Sequence, residues 1–278
     1  MATATKESNP QARRFESERI HASPTVLILG AIGLAIYGVG RLLGSAIFGS
    51  AHGQLGSAIA FVGTAVLVVA VVLHVDHLSF RLGRSAVVLV IIGAIAVGIG
   101  NLLGALNASS KGPLWFVGAG FALAGVGVAM VAVHKEGQMK ATLADYVAGA
   151  PWQARVTVYA SFFSLITAAL GFVLYGIGIM GMANVTGRGP LVLMCVGSVL
   201  AAIGVISHVE HLVPRIGLLV VIAGILAPLV YAANPFLGAF DPANAANATY
   251  WHLCLGIGTL LGALACVLAF SKKLSTDS

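Results

Sequence analysis

The sequence contains very little charge for its length. Only 9% of its 278 residues are Asp, Glu, Lys or Arg, whereas 59% are hydrophobic; a typical soluble domain has about 25% charged and about 45–50% apolar residues. The charges stand mostly in the first 23 residues, the last 8 and a few short connectors. The stretches between them are long enough to cross a hydrocarbon core of about 30 Å as helices of roughly 20 residues. This composition excludes an ordinary soluble domain and predicts an integral membrane protein.

Cysteine motifs and the usual catalytic motifs are absent as well. The three cysteines lie in apolar stretches without Cys-x-x-Cys spacing, which argues against a disulfide framework or a cysteine-based metal site. There is no Walker loop, no His-Glu-x-x-His and no nucleophile motif, so soluble-type hydrolysis and nucleotide hydrolysis have no support. The net charge of +6 is spread over tails and connectors. It therefore indicates contact with lipid and not with nucleic acid.

What the sequence does contain is a series of apolar blocks, which predicts an all-α polytopic membrane protein. Since a spanning segment must satisfy its own backbone hydrogen bonds, each block is expected to be a helix. The eight predicted helices cover approximately residues 25–48, 55–76, 85–106, 113–134, 156–182, 190–210, 215–233 and 250–270.

The cations of the connectors alternate between the two sides of the membrane. One set of connectors holds nearly all of them, and the opposite set holds only Lys111 and Arg188. Because cytoplasmic loops carry the excess of Lys and Arg, both termini are predicted to be cytoplasmic, in a multi-pass protein of the cell (inner) membrane.

An internal repeat is visible at an offset of 134 residues. HVDHLSFRLG at 74–83 matches HVEHLVPRIG at 208–217, and LGAL at 103–106 matches LGAF at 237–240. IYGVG at 36–40 also resembles LYGIG at 174–178, with a small slip in spacing. The sequence therefore predicts two tandem four-helix repeats. Because each repeat has an even number of spans, a pseudo-twofold axis along the membrane normal would relate them.

This repeat sets the predicted domain boundaries. They are a cytoplasmic N-terminal tail at 1–23, membrane repeat 1 at 24–134, a cytoplasmic linker at 135–155, membrane repeat 2 at 156–271 and a cytoplasmic tail at 272–278.

The repeated motif supplies the candidate site at the cytoplasmic rim. Residues i and i+3 of a helix share a face, so the two histidines of each copy can face one ligand while the acid between them turns aside. Four imidazoles brought together by the axis would suit zinc, iron or copper, and one from each copy would suit a haem. The arginines and acids would then orient the ligands or neutralise a propionate or phosphate. The candidate cofactor-binding residues are His74, His77, His208, His211, Arg81 and Arg215, supported by Asp76 and Glu210, with the four histidines as metal ligands.

An alternative interpretation of the motif needs no cofactor. A histidine near the head groups costs little, an acid close to an arginine forms an interfacial ion pair, and cytoplasmic arginines follow from topology. The motif would then be a polar clamp or a docking surface.

Two classes of function stay open on this basis, and with them the question of whether the protein is an enzyme. The first is a redox enzyme that binds a metal or haem, or the membrane subunit of a respiratory-type complex. The arrangement of four plus four spans with histidines resembles haem A synthase in architecture, although that family's glutamate-containing histidine motif is absent. The second class is a small-molecule transporter or a non-catalytic anchor subunit. The expected partners are the lipid bilayer and, for a subunit, other membrane subunits.

Polar residues within the apolar blocks are few. They are dispersed along the sequence, which favours a rim-bound cofactor or an anchor over transport: Thr64, Asn101, Ser164, Thr167 and Thr259. Arg41 is the one cation inside an apolar block, and its counterpart in the second repeat is the apolar Ile179. Its side chain is expected either to extend to the outer membrane surface or to bind an anionic group.

Overall fold

The computed structural model describes residues 22–45, 53–75, 82–106, 111–147, 158, 160–185, 187–209, 213–240 and 245–277. Over these residues the chain is helical, and eight of the helices are long and apolar enough to cross a membrane. A four-residue helix, Val213–Ile216, precedes the seventh. The prediction of an all-helical protein with eight spanning-length helices is confirmed. The helices are α1 Pro24–Leu43, α2 Gly53–Val75, α3 Arg84–Leu106, α4 Gly112–Val147, α5 Phe162–Met182, α6 Gly189–Val209, α7 Leu218–Phe240 and α8 Ala245–Asp277.

Two helices extend well beyond the apolar blocks that predicted them. Helix α4 continues to Val147, through much of the segment predicted as a linker, and α8 continues to Asp277. Both extensions are rich in Lys, Ala and other residues that favour helix in water. In α4 an ion pair of 2.7 Å joins Glu136 to Lys140 one turn later, an arrangement that supports an exposed helix. Hydropathy marks the end of the apolar block but not the end of the helix.

Helix α7 contains two prolines and nevertheless continues through both of them. Each proline lacks the N–H that would bond to the carbonyl four residues earlier. The Asn234 side chain compensates for Pro235, because its amide donates to the Tyr231 carbonyl at 2.6 Å. Packed helices tolerate proline when a neighbouring group satisfies the freed carbonyl.

The eight long helices form a closed ring. Each packs against the helices that precede and follow it in sequence, and α8 packs against α1. Neighbours are antiparallel: Gly33 of α1 lies against Leu67 of α2, whereas Gly40 lies against Ala60. The N-terminus of α1 and the C-terminus of α8 are therefore at one end of the ring, which we call the terminal end. The opposite end is called the loop end.

Glycines bring helices into close contact where the first four helices meet the last four. A Cβ atom added at Gly176 of α5 would lie 2.4 Å from the Gly118 carbonyl oxygen of α4. Across the other junction, a Cβ atom added at Gly38 of α1 would lie 2.9 Å from the Gly256 carbonyl oxygen of α8. Small residues allow such close backbone approach between membrane helices. The residues of the second contact have counterparts 138 positions away in the first.

Other local structures recur at similar spacings. Ser23 caps α1 by accepting a hydrogen bond of 3.2 Å from the Val26 amide, and Ser161 caps α5 by accepting one of 3.0 Å from the Ser164 amide. Gly83 and Gly217, which end the two copies of the repeated motif, have φ values of 92° and 88°. This left-handed conformation favours glycine.

The outer surface of the ring is strongly apolar. Many of its exposed side chains are large and hydrophobic, and examples come from every membrane helix: Ile32, Val62, Ile92, Phe116, Phe163, Val192, Ile222 and Val267. Such a surface suits contact with the lipid bilayer.

Candidate functional site: a polar cavity inside the ring

The structure places part of the predicted rim site. His74 lies in the last turn of α2 and His208 in the last turn of α6, both at the terminal end. Helix α2 packs between α1 and α3, whereas α6 packs between α5 and α7, so the two histidines are on helices that are not neighbours. Arg215 lies in the helix Val213–Ile216. The other predicted residues are outside the described part of the chain: Asp76, His77, Arg81, Glu210 and His211.

The described residues include no group of three or more His, Cys, Asp or Glu side chains arranged to hold a metal. One further histidine does lie beside the first copy of the motif. His134 of α4 packs against Gly83, and its Nε2 atom is 3.1 Å from the Gln138 amide nitrogen. The rim metal or haem site stays a prediction.

The loop-end half of the ring encloses a polar cavity of about 420 Å³. All eight helices contribute side chains to its wall, so the cavity lies at the centre of the ring and not between one pair of helices. The polar wall residues are Tyr37, Arg41, Ser57, Asn101, Tyr175, Tyr231 and His252. Pockets of roughly 300–1,000 Å³ with a few convergent polar groups are typical of small-molecule sites.

Arg41 is the charged residue of this cavity. Its Nε–H donates to the Tyr37 hydroxyl at 3.0 Å, and its Nη2 donates to Asn101 Oδ1 at 2.7 Å. The guanidinium carbon also lies 4.9 Å from the centre of the Tyr37 ring, within the range of a cation–π contact. These contacts keep the guanidinium inside the ring instead of directing it to the membrane surface. Of the two alternatives for Arg41, they favour the binding of an anion.

A chain of hydrogen bonds fixes the orientation of Asn101. Its amide nitrogen donates to Thr64 Oγ1 at 3.1 Å, and the Thr64 hydroxyl donates to the Ala60 carbonyl at 2.8 Å. Asn101 and Thr64 are both buried. The chain thus connects α1, α3 and α2 and leaves the Asn101 oxygen as an acceptor for Arg41. The sequence interpretation of Thr64 and Asn101 as dispersed polar residues is wrong, because both belong to one network.

The described structure gives Arg41 only neutral hydrogen-bond partners. Glu136, the acidic residue whose side chain is described, pairs with Lys140 on the extension of α4 at the terminal end. Taking an ion from water into a protein costs several kcal/mol unless a counter-charge or hydrogen bonds compensate for it. A tyrosine and an asparagine supply hydrogen bonds but no charge. The site is therefore suited to an anion supplied by a ligand.

Other polar atoms near the cavity also have unused hydrogen-bonding capacity. His252 Nδ1, in the cavity wall, and the buried Asn234 Oδ1 have no hydrogen-bond partner among the described residues. Buried polar atoms of folded proteins usually have a partner, so each exception requires an explanation. A polar ligand in the cavity would explain that of His252.

A second, apolar cavity of about 220 Å³ adjoins the first. Its other wall residues come from positions closer to the terminal end, and they include Leu34, Phe172, Ala202, Val205, Ala227 and Pro228. Phe121, Tyr175 and Tyr231 line both cavities. Their rings form a layer in which Tyr175 contacts Phe121 edge-on, with ring centres 5.1 Å apart, and lies 6.2 Å from Tyr231.

The sequence contained one signal for this site that was not recognised. Tyr37 and Tyr175 occupy the same position in the repeated IYGVG and LYGIG segments, and both line the polar cavity. Arg41 and Ile179, which were already aligned as counterparts, line it too. A polar aromatic residue repeated within apolar blocks therefore indicated the cavity better than the histidine motif did.

The chain matches no protein-family model, no curated protein and no solved structure with which it was compared.

Proposed function

We propose that this integral membrane protein binds a small organic anion in the polar cavity and carries it across the membrane. The observation that supports this most strongly is Arg41, a cation inside the ring whose described hydrogen-bond partners are all neutral. Intramembrane charges are costly and usually mark a substrate or ion pathway. The anion would pair with the guanidinium, and the unpartnered nitrogen of His252 is available to it.

We further propose that the ring arose by duplication of a four-helix unit and has a pseudo-twofold axis along the membrane normal. The matched caps at Ser23 and Ser161, the matched φ values of Gly83 and Gly217 and the matched glycine contacts at both junctions support this. Parallel repeats of this kind occur in transporters, whose substrate sites lie near the interface of the repeats. Both halves of the ring contribute to the polar cavity.

The two cavities support transport in preference to binding alone. The polar cavity is in the loop-end half, the apolar cavity extends toward the terminal end, and an aromatic layer separates them. A site reached alternately from two sides needs such a boundary, because an open channel would not couple binding to passage. The cations of the connectors support a topology with both termini in the cytoplasm of a cell with an inner membrane.

The rim motif supports a separate hypothesis, in which the four histidines bind a transition metal or haem and the protein is a redox enzyme or a subunit of a membrane complex. Its support is the position of His74 and His208 at equivalent helix ends. An absorption spectrum and metal analysis of the purified protein test it. A colourless, metal-free and stable protein would exclude it without affecting the proposal for the cavity.

Thermal unfolding of the protein in phosphatidylcholine nanodiscs tests the anion site. A panel of acetate, benzoate, octanoate and inorganic phosphate should contain an anion that raises the unfolding temperature, since a ligand at about 100 times its Kd adds about 2.7 kcal/mol of stability. Arg41→Gln should abolish the response. Arg188→Gln, which removes an exposed cation, should retain it.

Flux measurements then separate transport from binding. Proteoliposomes should take up the stabilising anion in the wild-type protein and not in Arg41→Gln. Binding without flux would contradict transport, and a panel without any Arg41-dependent response would contradict the anion site itself.

A further inference from the structure

The shared aromatic wall of the two cavities indicates the chemical class of the ligand. We infer that the ligand is an amphipathic monoanion, whose head binds Arg41 in the polar cavity and whose apolar body fills the apolar cavity. The inference rests on the proposed function, because it takes Arg41 as the anion site.

The donors of Arg41 suit a carboxylate head. A guanidinium has five N–H donors in a planar fork. Tyr37 and Asn101 accept from two of them, at Nε and Nη2. The remaining donors, two on Nη1 and one on Nη2, include the pair of nitrogens that binds a carboxylate with two parallel hydrogen bonds. Arg41 is the one Lys or Arg residue in the wall of either cavity, so the ligand carries a single negative charge.

The apolar cavity has almost no free hydrogen-bonding capacity in its wall. Its hydroxyl groups include Ser198, which donates toward the carbonyls of Cys195 and Ala232, and Thr259, which donates toward those of Leu255 and Gly256. Both hydroxyls are thus occupied by backbone. A polar group moved into this space would lose its hydrogen bonds with water and gain few in return. The cavity therefore selects an apolar group.

The dimensions favour a single short chain. Leu34 in the apolar cavity precedes Arg41 by seven residues on α1, which corresponds to about 10 Å along the helix axis. The apolar cavity, at about 220 Å³, is smaller than the roughly 300–1,000 Å³ of a pocket for a drug-sized ligand. A medium-chain carboxylate fits these limits, whereas a two-chain membrane lipid exceeds them. The body of the ligand passes the rings of Phe121, Tyr175 and Tyr231.

Binding of a homologous series tests the inference on the full-length protein in phosphatidylcholine nanodiscs. Straight-chain carboxylates from acetate to decanoate are titrated beside the primary alcohols of equal length, with empty nanodiscs as the blank for partition into lipid. The affinity of the acids should rise by about fourfold per added methylene and should level off once the cavity is full. Alcohols should bind more weakly at each length, and Arg41→Gln should remove the difference.

Two cavity-filling variants locate the apolar body. Val205→Phe and Ala227→Leu fill the cavity from α6 and α7, and each should lower octanoate affinity at least tenfold while leaving acetate binding unchanged. Ile203→Phe enlarges a side chain on the outer face of α6 and should behave as wild type. Unchanged unfolding temperature without ligand shows that a variant is folded.

The outcomes distinguish the inference from the proposed function. Arg41-dependent binding that does not depend on chain length, or octanoate binding that neither cavity variant weakens, would overturn the inference and leave the anion site standing. A series in which no acid binds in an Arg41-dependent way would overturn both.

Discussion

At the scale of single residues, the orientation of Asn101 determines how Arg41 is held. Its oxygen accepts from Arg41 while its nitrogen donates to Thr64, so one side chain satisfies a cation and a buried hydroxyl. Asn101 lies 60 residues from Arg41 and 37 from Thr64. Sequence periodicity contains no information about contacts over such separations. For this reason the sequence identified Arg41 as unusual but could not name its partners.

Replacement of Asn101 tests this network. Asn101→Leu should lower the free energy of unfolding by about 1–3 kcal/mol, because it removes a hydrogen bond to a charged group and one to a buried hydroxyl. Asn184→Leu removes an exposed amide near the end of α5 and should change stability by no more than about 0.5 kcal/mol. Denaturant unfolding in detergent measures both. Equal effects of the two substitutions would contradict a structural role for the Asn101 network.

At the scale of helices, the apolar blocks predicted all eight spanning helices, but several ends differ. Helix α5 begins at Phe162 instead of 156, where Ser161 provides the cap, and α7 continues past Pro228 and Pro235. A cap or a compensating Asn234 depends on the three-dimensional position of a single side chain, which composition does not determine. The glycines were interpreted correctly as packing residues, although the sequence could not show which helices they join.

The glycine contacts at the two junctions provide a second prediction. Gly176→Ala and Gly38→Ala place a Cβ atom against backbone of the adjoining helix and should each destabilise the protein by about 1–3 kcal/mol through overpacking. If the halves are duplicates, the two losses should be similar. Gly137→Ala adds a Cβ atom in open space on α4 and should stabilise by about 0.5–1 kcal/mol. A neutral result at both junctions in thermal unfolding would contradict close packing there.

At the scale of the whole molecule, the closed ring is what creates a site. No single helix or hairpin of this chain holds a polar pocket, but eight helices packed in sequence order enclose one with Arg41 in its wall. The sequence prediction located the polar chemistry at the cytoplasmic rim, because a duplicated histidine motif is conspicuous there. A single unpaired cation on one helix was less conspicuous, yet the fold surrounds it with the other seven helices.

The central claim is that the polar cavity attracts anions through Arg41, and it can be tested without knowing the ligand. Ser57→Cys introduces a thiol into the cavity wall, beside the contact between α1 and α2. The rates at which anionic and cationic methanethiosulfonate reagents modify this thiol are compared, with the parent protein correcting for its three native cysteines. The anionic reagent should react at least tenfold faster, and Arg41→Gln should remove this preference. A rate ratio that Arg41→Gln leaves unchanged, or a thiol that reacts with neither reagent, would contradict the account.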